Sequence, residues 1–170
     1  MEENTKNLFE LIIDAIQLLI IISSAVWAYF RFRREDPLSP RVEFDLDCKF
    51  WGPQHNYYLT SFTVIASNKG NVEHRFNEIR IRVLGIKDDQ PLTEFAKYPP
   101  MTNFPVTIMK EVNIIPPEYG YFFVRPGVKQ SMNYVANIPG NIRFIIVRAT
   151  FQYQSTGDIH TTEKVFEVKY

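Results

Sequence analysis

Two patterns of hydrophobic positions divide this chain. Residues 11–30 read LIIDAIQLLIIISSAVWAYF, an almost continuous apolar run. As a helix, twenty residues at about 1.5 Å each span about 30 Å, the thickness of a bilayer's hydrocarbon core. From residue 42 onward the period changes to two. Val42, Phe44, Leu46, Cys48 and Phe50 alternate with Glu43, Asp45, Asp47 and Lys49. One apolar and one charged face is the pattern of a half-buried strand. Trp51-Gly52-Pro53 is expected to end it.

Further strand-like runs follow at 57–67, 76–86, 106–115, 121–124, 128–137, 142–153 and 159–168. Between them lie turn-forming groups such as Asn68-Lys69-Gly70-Asn71, Arg125-Pro126-Gly127 and Pro139-Gly140-Asn141. Gly85, inside the third run, is expected to mark a bulge. No stretch after Phe30 has helical periodicity over more than a turn or two. Seven or eight short strands separated by turns predict an all-β fold. The expected architecture is an immunoglobulin-like antiparallel β-sandwich preceded by a single N-terminal transmembrane α-helix. Its expected divisions are a short extracytoplasmic tail (1–9), the transmembrane helix (10–30), a basic, proline-containing neck (31–40) and the sandwich (41–170).

The residues flanking the helix orient it. Trp27, Tyr29 and Phe30 gather at its C-terminal end, where an interfacial aromatic belt belongs, and Arg31, Arg33 and Arg34 follow at once. The N-terminal side carries Glu2, Glu3 and Glu10 against Lys6 alone. The positive-inside rule then places the neck and the sandwich in the cytoplasm, at a bacterial inner membrane, with the lipid bilayer as the first partner. Each neck arginine adds about 1 kcal/mol of attraction to anionic lipid. A cleaved signal peptide is the rival reading, with Ser23-Ser24-Ala25 as its cleavage site. The acidic N-terminal region and the arginines beyond that site oppose it. A type IV pilin leader would need a basic leader and a glycine cleavage site, and this chain has neither.

Glu10, Asp14, Gln17 and Ser24 recur at spacings of four, three and seven, which places them on one helical face. Ionisable groups inside a membrane are costly and usually meet a partner. This seam is therefore a candidate surface for a protein partner or for homo-oligomerisation through the helix. The alternative is that Glu10 and Asp14 reach the headgroups from the first turns.

Composition narrows the classes further. Aromatic residues make up 15% of the chain, and many lie among Val and Ile, which favours strands. The formal net charge is zero, with only a small basic surplus after residue 36, so no nucleic-acid partner is expected. The lone Cys48 rules out an intrachain disulfide, and its place on the apolar face with Phe44 and Leu46 makes it a core residue.

Candidate chemistry is sparse. His55, His74 and His160 are scattered, without the close spacing of a metal site. Asp45 and Asp47 read as a solvated strand face rather than a catalytic pair. Asn68-Lys69-Gly70 lacks the spacing of a phosphate loop. No enzyme activity, cofactor or metal is expected. Arg80, Arg82, Arg143 and Arg148 form either a basic face for an anionic ligand or cross-strand ion pairs with Glu43, Asp45 and Asp47; the pairs are preferred.

The long connection 87–103 is the best candidate partner loop, since ordinary loops run about 4–6 residues. It presents Phe95, Tyr98, Pro99, Pro100 and Met101, either to a partner or as a lid over an open end of the sandwich. The run Tyr119-Gly120-Tyr121-Phe122-Phe123 is assigned to core strand. The functional expectation is a membrane-anchored, non-enzymatic interaction or scaffold protein with a cytoplasmic β-sandwich. The alternative is a ligand-gated membrane effector, in which the sandwich binds a small anionic ligand and controls helix association.

Overall fold

The structure, a computed structural model, describes residues 2–35, 41–95 and 101–168. It divides into two compact units, residues 1–39 and 40–170. The first is one helix, α1 (Glu2–Glu35). Its segment Glu10–Arg33 is long and apolar enough to cross a membrane, and none of it is buried against other parts of the protein. The helix continues past the aromatic belt, so Arg31, Arg33 and Arg34 are helical. Arg31 lies 5.3 Å over the Trp27 ring, and Arg33 Nη1 donates to the Tyr29 hydroxyl at 3.4 Å. An arginine on an interfacial ring is favoured by the ring quadrupole.

The second unit is built from strands. In chain order these are β1 (Val42–Gln54), β2 (Tyr57–Asn68), β3 (His74–Lys87), β4 (Glu94–Phe95), β5 (Met101–Thr102), β6 (Val106–Asn113), β7 (Phe122–Val124), β8 (Lys129–Pro139), β9 (Ile142–Tyr153) and β10 (Ile159–Glu167). One 3-10 turn, Pro117–Tyr119, precedes β7. The first sheet has the order β1-β2-β8. The second has the order β10-β9-β3-β6, with β7 added to β3, and β4 pairs with β5 as a separate two-stranded ladder. Every pairing is antiparallel.

Alternation explains how the two sheets come together. On β3, Ile79, Ile81 and Val83 are fully buried; on β9, Ile145, Val147, Ala149 and Phe151 are too. Leu46, Tyr58, Phe62, Val64 and Ala66 of the first sheet close the same core. Aromatic rings join the sheets directly. Phe44 of β1 stacks on Phe151 of β9 at 3.8 Å between centroids and meets Phe76 of β3 edge-on at 5.6 Å. Burying such side chains stabilises by about 1.5–3 kcal/mol each.

Several expected boundaries shift. Trp51-Gly52-Pro53 does not end β1, which runs on to Gln54 and turns at His55 and Asn56. Both turn residues have positive φ, 48° and 63°, as a two-residue hairpin turn of the primed kind requires. Because β1 is an edge strand, Pro53 interrupts no ladder on its open side. Gly85 is not a bulge. It pairs with Val106 and Ile145, while the register shifts of β3 against β6 lie between Ile81 and Leu84. A Cβ at Gly85 would sit 2.6 Å from Ile108 Cδ1, so close packing requires the glycine.

The turn after β2 works as expected, and it also holds β7. Asn68 is fully buried. Its Oδ1 accepts from Gly70 N at 2.9 Å, and its Nδ2 donates to Val72 O at 2.7 Å and Val124 O at 3.0 Å. A buried amide with its polar atoms bonded in this way ties β2 to β7.

Candidate functional site

The second sheet has a core face and an outer face, and the outer face carries the candidate site. Arg82 and Leu84 on β3, and Ile146 and Arg148 on β9, alternate with the buried residues named above and so point away from the core. Registers place Arg82 opposite Arg148 and Leu84 opposite Ile146. Glu163 of β10 is in turn opposite Arg148, whose Nε donates to Glu163 Oε1 at 2.5 Å.

The described parts of the connection 87–103 reach this face. Its start is pinned where Asp88 N donates to Asn141 O at 3.0 Å and Lys87 N donates to Gln90 Oε1 at 3.1 Å. The strands β4 and β5 then pair Glu94 with Thr102 and Phe95 with Met101, and Asn103 N donates to Thr93 O at 2.8 Å to extend the ladder. Phe95 and Met101 remain 54% and 51% exposed. Together with Thr102, Phe104, Leu84, Ile146, Arg82, Arg148 and Glu163 they line a cavity of about 120 Å³. The described strands of this connection, β4 and β5, thus lie beside the outer face of the second sheet. Tyr98, Pro99 and Pro100, expected in the same surface, lie outside the described residues.

The other candidate residues fall elsewhere. Glu10, Asp14, Gln17 and Ser24 are all exposed on α1. The Ser24 hydroxyl donates to Ile20 O at 2.7 Å, within its own helix. Asp45 and Asp47 do not act as a pair. Asp45 Oδ1 accepts from Lys164 Nζ at 2.9 Å and from Leu46 N at 2.8 Å, and these contacts hold its carboxyl below the usual range. The Asp45–Lys164 bridge joins the edge strands β1 and β10 of the two sheets.

The arginines pair, but not with the expected acids. Arg80 bonds Glu78, Arg143 meets Glu167 at 2.6 Å, and Arg148 meets Glu163. Glu43 reaches Lys69 instead, at 4.0 Å. Among the described residues, Arg82 has no carboxylate within ion-pair distance.

Two of the three histidines come together, a grouping that their sequence spacing did not signal. His74 and His160 lie edge-on to the Tyr153 ring at 5.6 and 5.5 Å, and the Tyr153 hydroxyl is 3.4 Å from His160 Nδ1. Burial pushes the Tyr153 phenol up to about 12 and lowers His74, whose Nε2 is buried without a hydrogen-bond partner. His55 sits apart in the β1–β2 turn. Burial, with Asp47 adding to it, pushes the Cys48 thiol up to about 12, which opposes thiolate chemistry. Among the described residues, no three His, Cys, Asp or Glu side chains gather as a metal site.

No protein-family model matches the chain, and no curated protein matches its sequence. Solved structures resemble it distantly. A Northeast Structural Genomics Consortium target protein is 14% identical, with a TM-score of 0.46 over 74% of this chain and 83% of that one. A protein from Archaeoglobus fulgidus is 9% identical, with a TM-score of 0.40 over 76% and 98%. The putative ApaA protein from Bordetella pertussis is 11% identical, with a TM-score of 0.40 over 75% and 94%. Likenesses this distant say nothing about activity.

Proposed function

We propose that the chain is a membrane-anchored, non-enzymatic interaction protein. Its helix lies in a bacterial inner membrane, and its β domain, an immunoglobulin-like sandwich, faces the cytoplasm. The strand order supports that layout. Under that layout β1, β2 and β8 would be A, B and E, and β3, β6, β9 and β10 would be C, C′, F and G. The arginines at the C-terminal end of the helix and the acidic residues at its start support the orientation.

One observation carries the interaction reading. Strands β4 and β5 lie over the outer sheet face yet leave Phe95 and Met101 half exposed. A segment whose only role was to cover apolar surface would bury its own apolar side chains. The test is co-purification from native membranes of the intact chain, the double variant Phe95→Ser/Met101→Ser, and the seam variant Asp14→Leu/Gln17→Leu. Loss of partners in the hairpin variant alone places the working surface on the sheet face. Loss in the seam variant alone moves it to the helix. Retention of every partner by both variants sinks the proposal.

A second reading, the ligand-gated effector, is favoured by Arg82, which faces Arg148 beside the cavity and has no carboxylate within ion-pair distance among the described residues. Here a small anion bound by the β domain would change how the helices associate. Crosslinking of the helices in membranes that responds to such an anion would separate this reading from simple scaffolding.

A further inference from the structure

We infer that the cavity under the hairpin binds a compact apolar group, a single ring or a short branched chain, that carries a carboxylate or phosphate. The inference rests on the reading of the hairpin face as the working surface and specifies what that surface takes. Size sets the first limit. The cavity measures about 120 Å³, and an engineered cavity of roughly 150 Å³ in another protein holds benzene. One ring or one branched aliphatic group fills the space.

The lining sets the second limit. Leu84 and Ile146 form the floor, with Phe95, Met101 and Phe104 around it. Methionine and phenylalanine together make an apolar wall that adapts to rings. The two-residue ladder of β4 and β5 allows the roof to adjust.

The arginines set the third limit. Arg82 and Arg148 are directly opposite across β3 and β9. Like charges in that relation destabilise a sheet. Glu163 meets Arg148 through Nε, and among the described residues Arg82 has no carboxylate within ion-pair distance. A sheet that keeps an unfavourable pair at the mouth of an apolar cavity has broken a local rule, and such breaks concentrate at functional sites. The guanidinium fork matches the geometry of carboxylate or phosphate oxygens. An anionic head near Arg82 and Arg148 relieves their repulsion while its apolar body enters the cavity.

Two sources offer this chemistry. One is a free small acid. The other is the last residue of a partner chain, where an apolar side chain and an α-carboxylate are adjacent. The test uses the full chain in lipid nanodiscs with carbon-13-labelled methionine methyl groups, the Met101 signal being assigned through Met101→Leu. The probes are 3-phenylpropionate, its neutral counterpart 3-phenylpropanol, and a short peptide ending in phenylalanine as the free acid and as the amide.

The expected result is a saturable shift of the Met101 methyl with the anions. The neutral forms should bind about tenfold more weakly, as befits one lost charge-assisted hydrogen bond. Arg82→Gln should erase that difference while leaving the rest of the methionine spectrum in place. Tighter binding of the peptide acid than of 3-phenylpropionate assigns the site to a partner's terminus; the reverse assigns it to a free acid. Equal binding of charged and neutral probes, or no Met101 shift with any of them, overturns the inference. Silence of the probes alongside hairpin-dependent partner capture would do so and leave the interaction reading standing. Anion-selective probe binding with no hairpin-dependent capture would sink that reading and leave the cavity's chemistry intact.

Discussion

The outer faces of the two sheets carry similar residue types and use them differently. On the first sheet Glu43, Asp45, Asp47 and Lys49 line the edge strand, and Ser61, Thr63 and Ser67 follow on β2, with apolar Trp51, Leu59, Ile65 and Val135 set among them on the same face. The charged residues bond outward, Glu43 to Lys69 and Asp45 to Lys164. On the second sheet, apolar Leu84 and Ile146 sit between arginines, and the chain spends a long connection on roofing them. Trp51, Leu59 and Val135 of the first sheet's outer face stay exposed, whereas the apolar residues of the second lie beside β4 and β5, whose own Phe95 and Met101 remain half exposed and leave room for something else.

The comparison sharpens first within the second sheet, where one strand serves both faces. Ile81→Ala should cost about 2–5 kcal/mol, because the buried side chain leaves a cavity in a close-packed core. Leu84→Ala, three residues on and facing outward, should cost under about 1 kcal/mol. Urea denaturation of both variants checks this. Similar losses would mean that the outer cluster is a second core, and the functional reading of the roof would fail with it.

Asn68 should come next in size. Replacing it with alanine removes three hydrogen bonds and leaves Gly70 N, Val72 O and Val124 O to find others. A loss of about 1.5–4.5 kcal/mol follows from about 0.5–1.5 kcal/mol per bond. Hydrogen exchange should rise in β7 before it rises in β9, since the amide holds β7 and the ladder holds β9.

These elements differ in how plainly the sequence announced them. The alternation of Val42 to Phe50 and of residues 142–153 marked strands to within a few residues, because a half-buried sheet imposes period two on every side chain. The apolar helix was equally plain. The hairpin was not, because strands of two residues leave no period to detect. Trp51-Gly52-Pro53 misled because proline stops a central strand but is tolerated on an edge, and edge position depends on pairings far along the chain. The arginine partners were hidden for the same reason. Glu163 and Glu167 become neighbours of Arg148 and Arg143 only once β10 has taken its register on β9. The cavity needs all of these at once: register, hairpin and outward face.

His74 supplies a smaller, pH-dependent effect from the buried side of the same sheet. Burial lowers its pKa below the ordinary 6.5, and its Nε2 has no acceptor waiting for a proton. Below pH about 6.5 the unfolded chain binds the proton more readily than the folded one. Stability therefore declines as pH falls from there through the depressed folded value, and this group adds no pH dependence above it. His74→Phe should flatten that part of the profile, as seen in thermal melts between pH 5 and 8. An unchanged slope would place the acid sensitivity elsewhere, with Asp45 the next group to examine. Its lowered pKa has the same sign, with stability lost as pH falls through it.

The smallest effect is the most telling for the comparison. Arg82→Thr removes one of two opposed guanidinium groups and introduces a residue with good strand propensity. If the arginine were there for the fold, the change would destabilise the domain. The like-charge pair instead predicts a gain of about 0.2–1 kcal/mol, within reach of careful urea titration at low salt. The matched change at the edge of the same sheet, Lys164→Thr on β10, breaks the bridge to Asp45 of the first sheet and should lose up to about 1 kcal/mol. Opposite signs for two surface cations would separate a charge held for stability from one held against it. A protein that keeps the second kind has a use for it, and the cavity beside Arg82 is where that use would be exercised.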